Sequence, residues 1–133
     1  MTIKLCYKEY DYKMNLAACK SFYEQTGKDL TYVLMGYIEA CRATVGMQSV
    51  ERLRHFSGLE TFETISKLFH CLIKQEDKSI PLAEIQDAMY RVSWMPSDED
   101  DSKLCEPWPL VVVDLATQIN EYYSQLDKKK AVT

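Results

Sequence analysis

Leu30, Val33, Leu34, Tyr37, Ile38 and Cys41 recur at i, i+3, i+4, i+7, i+8 and i+11. This is the period of an α-helix with one apolar face, and such a face must be covered by other elements of the chain. The stripe therefore predicts a helix at the centre of a helical core. Shorter stripes surround it. Asn15 is suited to cap a helix running to about Gln25, with Leu16, Cys19, Phe22 and Tyr23 on one face and Gly27 as a left-handed stop. Gly46 ends the central stripe, and a short helix around Val50 to Phe56 stops at Ser57-Gly58.

Ser57-x-x-Glu60 fits a capping box for the next helix, whose apolar face is Phe62, Ile65, Leu68, Phe69, Leu72 and Ile73. Glu63 and Lys67 stand four residues apart on its exposed side, a stabilising spacing. Pro81 suits the first turn of a further helix carrying Leu82, Ile85, Met89 and Val92, which Trp94-Met95-Pro96 terminates. Pro107-Trp108-Pro109 forces an extended approach to a last helix of about four turns, with Val112, Ala116, Ile119, Tyr123 and Leu126 at helical spacing.

The N-terminus has a different period. Ile3, Leu5 and Tyr7 alternate with polar neighbours, as do Tyr10, Tyr12 and Met14, which predicts two strands in a small hairpin turning near Lys8-Glu9. The expectation is a mainly α fold: a single-domain bundle of about five to six helices over residues 1–126, with a hairpin within 1–14. Residues 127–133 read as a flexible polar tail.

One core is enough for 133 residues of which 47% are hydrophobic, since a chain of this size buries roughly two-thirds of its unfolded surface. A net charge of −4 repels a phosphate backbone and argues against nucleic acid as a partner. No apolar run reaches the ~20 residues of a membrane span, and the N-terminus lacks the apolar region of a secretion signal, so a cytoplasmic location is expected. Cys6, Cys19, Cys41, Cys71 and Cys105 are odd in number and widely spaced, which reads as free, partly buried thiols.

Chemistry-bearing patterns are sparse. No C-x-x-C pair exists for zinc, and His70-Cys71 would diverge by about 100° on a helix. His55 and His70 have no matching nucleophile motif, and Gly27, Gly36, Gly46 and Gly58 are isolated rather than a phosphate loop. Asp98, Glu99, Asp100 and Asp101 lack the Gly and distal Glu of a calcium loop, so the run 97–102 reads as a solvated acidic loop, with docking to a basic partner as its functional alternative. No catalytic, metal or cofactor-binding residue is assigned, and no cofactor is expected. An enzyme built from Glu24, Asp87 and His55 is the minority reading.

Nine tyrosines and four phenylalanines exceed what one core accommodates with every hydroxyl bonded. Either the surplus is scattered over the surface, or it forms a protein-contact face that includes Tyr10, Tyr12, Tyr23 and Met35.

A short hairpin, a helix leading into Phe22-Tyr23-Glu24-Gln25-Thr26-Gly27-Lys28-Asp29-Leu30, and a second amphipathic helix resemble the start of tail assembly chaperones from long-tailed, lambdoid-type bacteriophages. The resemblance covers residues 1–45. Lys128-Lys129-Lys130 near the end suits the A-rich slippery run at which such proteins undergo ribosomal frameshift into a longer product. The resemblance implies a non-enzymatic chaperone, present in the host cytoplasm and absent from the mature virion. Its implied partners are the tape measure protein, the tail tube protein and further copies of itself, the hairpin edges offering one route to self-association. A small helical adaptor binding another protein is the alternative.

Overall fold

A computed structural model of the chain describes residues 1–6, 8–91 and 106–132, with side chains described through Leu126. It is mainly α, as the periodicities predict: a two-stranded antiparallel hairpin, then six helices among the described residues. Val92 and the acidic run 97–102 lie outside them.

Strands β1 (Thr2–Leu5) and β2 (Lys8–Asp11) pair with Ile3 opposite Tyr10 and Leu5 opposite Lys8. This register places Lys8 and Glu9, the expected turn, within β2, and Cys6, directly after β1, takes a left-handed φ of 58°. Cys6 also departs from the free-thiol expectation: it is disulfide-bonded, whereas Cys19, Cys41 and Cys71 are free. Wide spacing along a chain does not keep two cysteines apart in space.

Helix α1 (Leu16–Thr26) starts where Asn15 accepts the Ala18 amide at 2.9 Å and ends at Gly27, φ 71°. In α2 (Leu30–Ala43), Asp29 accepts the Tyr32 amide at 2.9 Å. Helix α3 covers Ser49–Ser57 and α4 covers Phe62–Ile73. The capping box expected at Ser57 and Glu60 does not form. Ser57 is still part of α3 and donates to the Leu53 carbonyl, Glu60 pairs with Lys28 at 2.6 Å, and Thr61 caps α4 by accepting the Thr64 amide. The Glu63–Lys67 pair is present at 3.5 Å. Helix α5 (Leu82–Tyr90) follows directly on Pro81.

Helix α6 begins at Trp108, one residue after Pro107, and runs to Val132. Trp108 and Pro109, expected in the extended approach, are already helical, because Pro109 fits a first helical turn, where its missing amide has no helical acceptor to lose. The backbone of 127–132 continues the helix instead of forming a loose tail, as Lys and Ala are good helix formers.

Seven residues of α4 are buried, from Ile65 to Ile73, so α4 rather than α2 is the most enclosed helix. It packs between α1 and α5, while α6 packs on α2 and α3 and the hairpin rests on α6 and α5. Tyr37 of α2 is fully buried, and among the described residues no group hydrogen-bonds its hydroxyl. An orphaned buried hydroxyl is costly, so Tyr37→Phe should raise stability by about 1 kcal/mol; a urea melt with a higher midpoint and unchanged slope is the expected observation.

Candidate functional site

The apolar positions of α1 do not share one face. Ala18 and Phe22 are completely buried against the core, whereas Leu16 is 70% exposed and Tyr23 62% exposed. Leu16, Cys19 and Tyr23 follow i, i+3, i+7, so they form a second stripe about a quarter to a third of a turn away from the buried one. The expected single face is thus two, one packed and one without cover.

The outer stripe is one wall of an open groove enclosing about 570 Å³. Leu16 and Cys19 line it from α1, and Thr31, Met35 and Ile38 line it from α2, again at i, i+4, i+7. Asn120 and Tyr123 of α6 form the third wall, and the buried Leu34, Ala116 and Ile119 lie beneath. Met14 and Asn15 close one end. No lining residue carries a formal charge.

Hydrogen bonds fix the walls. Tyr123 donates to the Met14 carbonyl at 3.1 Å, tying α6 to the start of α1, and the Asn15 amide donates to Gln75 at 3.2 Å. Burial pushes the Cys19 thiol up, with the Asp29 charge adding to the effect and a hydrogen bond to Thr31 opposing it. A raised thiol is not an activated nucleophile. What the groove offers is apolar area with amide and hydroxyl groups at its edges, which suits the apolar face of a helix.

The four residues singled out from the sequence part company here. Met35, 51% exposed, lines the groove, whereas Tyr23, 62% exposed on the outer stripe of α1, is not among the residues that line it. Tyr10 and Tyr12 are 6% and 1% exposed and cannot serve as exposed contacts. Their hydroxyls donate to Glu84 at 3.0 Å and to Gln118 at 2.9 Å, which removes the reason for expecting them at the surface. Leu16, Ile38 and Tyr123 were not singled out, and their exposure depends on how α6 sits against α1 and α2.

Glu24 and His55 are exposed on α1 and α3, and Asp87 pairs with Arg91 at 3.0 Å. His70 donates from Nε2 to the Ile80 carbonyl at 2.8 Å. A smaller cleft between β1 and α6 holds Glu106 and Asp114; partial burial and then the Glu106 charge and hydrogen bond push the Asp114 carboxyl up. Among the described residues no group of three or more His, Cys, Asp or Glu could hold a metal ion. None of their helices is long and apolar enough to cross a membrane.

No family model, curated protein or solved structure matches this chain.

Proposed function

We propose that the protein is a non-enzymatic tail assembly chaperone of a long-tailed bacteriophage, and that its groove receives amphipathic helices of the tape measure protein. The observation that carries this reading is the uncovered, uncharged groove between α1, α2 and α6. A long helical client exposes apolar stripes before the tail tube encloses it, and a neutral three-walled groove covers such a stripe without burying a charge. The N-terminal sequence pattern supplies the phage context, with action in the host cytoplasm and release before the virion is complete. A frameshifted longer product would bring in the tail tube protein. The same groove would also serve a helical adaptor for another partner, which is the second reading.

Co-expression with a tape measure protein is expected to raise the soluble yield of that protein and give a complex that co-elutes on size exclusion. Met35→Glu places a charge in the groove and should weaken the complex by about tenfold or more. A client that stays insoluble beside well-folded chaperone would overturn the phage reading.

A further inference from the structure

Cys6 is an unusual residue for its place. It follows β1 directly and takes φ 58°, a left-handed conformation that Gly and Asn adopt at far lower cost than cysteine. Turn preference therefore does not select a cysteine there, and the bond it makes does. Cys6 is disulfide-bonded, and Cys19, Cys41 and Cys71 are free. The chain has five cysteines, so within one chain the count leaves Cys105, which lies outside the described residues. Position agrees with the count. Glu106, the residue after Cys105 in sequence, lines the cleft of about 340 Å³ between β1 and α6 together with Cys6.

We infer that Cys6 and Cys105 form a redox-sensitive staple that fastens the hairpin to the chain just before α6. A two-stranded hairpin is marginally stable by itself and depends on its attachment. Here Ile3, Leu5, Tyr10 and Tyr12 are buried and the hairpin rests on α6 and α5, and the staple adds a covalent link to that packing. The bond closes a loop that contains α1 to α5, and closing a loop this long restricts the unfolded chain strongly. Cys6 is 7% exposed, yet it also lines a second cleft beside Lys8, Tyr10, Glu84 and Arg91, which gives small thiols two approaches to it. Opening proceeds by thiol–disulfide exchange with a thiol reductant such as glutathione. One reductant thiolate attacks a sulfur of the staple, forms a mixed disulfide and releases the other cysteine, which takes up a proton. A second reductant thiolate attacks the mixed disulfide and releases the remaining cysteine, so two electrons enter the chain and the reductant leaves as its own disulfide. Closing is the reverse, with oxidised glutathione as the electron acceptor. Reducing surroundings therefore hold the staple open and oxidising ones hold it closed.

The inference does not depend on what the groove binds. Alkylation of the full chain in denaturant, after equilibration with mixtures of reduced and oxidised glutathione, tests it. Under oxidising mixtures Cys19, Cys41 and Cys71 should take the label and Cys6 and Cys105 should not, and all five cysteines should take it after dithiothreitol. Mass spectrometry of the oxidised digest should show the fragment carrying Cys6 joined to the one carrying Cys105. Reduction is expected to lower the folding equilibrium constant by about 100-fold or more, read as a lower urea midpoint. It should also speed hydrogen exchange of the β2 amides more than that of the α4 amides. Cys6→Ser should give one midpoint under both redox conditions, and Cys41→Ser should leave the difference intact. Labelling of all five cysteines at every glutathione ratio, a Cys6 joined only to another molecule, or a wild-type midpoint that reduction leaves unchanged overturns the staple.

Discussion

Phe22→Ala should destabilise the protein by about 3–5 kcal/mol, while Leu16→Ala, six residues earlier on the same helix, should change stability by about 0.5 kcal/mol or less. Phe22 is fully enclosed beside Ala18, where truncation leaves a cavity that neighbouring helices cannot collapse to fill. Leu16 is mostly in solvent and its removal empties no interior space. Urea unfolding followed by circular dichroism measures both. Losses of similar size at the two positions would mean that α1 is rotated and that its outer stripe is core, which would eliminate the groove. A large loss at Phe22 alone, joined to weakened client binding by Leu16→Ala, would separate the two stripes by role.

Alkaline pH should have the second large effect. Burial, and then the hydrogen bond and charge of Glu84, push Tyr10 up to about 12; burial pushes Tyr12 up to about 12. Both exceed the ordinary tyrosine value of about 10, so the folded chain holds these protons more tightly than the unfolded chain. Their contribution is fully present below pH about 10 and falls as pH rises toward 12, by about 1.4 kcal/mol per pH unit for each tyrosine. Ionised Tyr10 would face the Glu84 carboxylate, and ionised Tyr12 could no longer donate to Gln118. The hairpin is therefore the element expected to detach. Urea midpoints measured from pH 9 to 12 should drop steeply above 10, and the double variant Tyr10→Phe, Tyr12→Phe should flatten the decline. An equally steep decline in the double variant would place the alkaline sensitivity elsewhere.

The stripes of α2 and α4 were readable because a buried helix face dictates its own spacing, and Leu30, Val33, Leu34 and Tyr37 are all buried as their period requires. Local rules also located Asn15 and Gly27, since a cap bonds within three or four residues of itself. Periodicity gives the width of an apolar arc but not the direction of the core. Leu16, Cys19, Phe22 and Tyr23 therefore passed for one face, although Ala18 is the true companion of Phe22. Tyr10 and Tyr12 looked surplus because their hydroxyl partners, Glu84 and Gln118, stand 74 and 106 residues away. At Ser57 two helices compete for one side chain, and the earlier helix holds it. Of the groove, Met35 was legible as a residue type that favours protein contacts. Its neighbours on α6 were not, because their position depends on how three helices assemble.

The Tyr12–Gln118 bond links the two ends of the described chain. The hairpin leaves the ribosome before α6, so Ile3, Leu5 and Tyr12 emerge about a hundred residues before the helix that shelters them. Contacts of such long sequence separation form late and limit folding speed. Until α6 is out, the nascent hairpin presents unpaired strand edges and apolar side chains, the features that invite misassociation or recruit a chaperone. A protein whose proposed task is to shield another chain would then depend, during its own synthesis, on either rapid completion or the same kind of help.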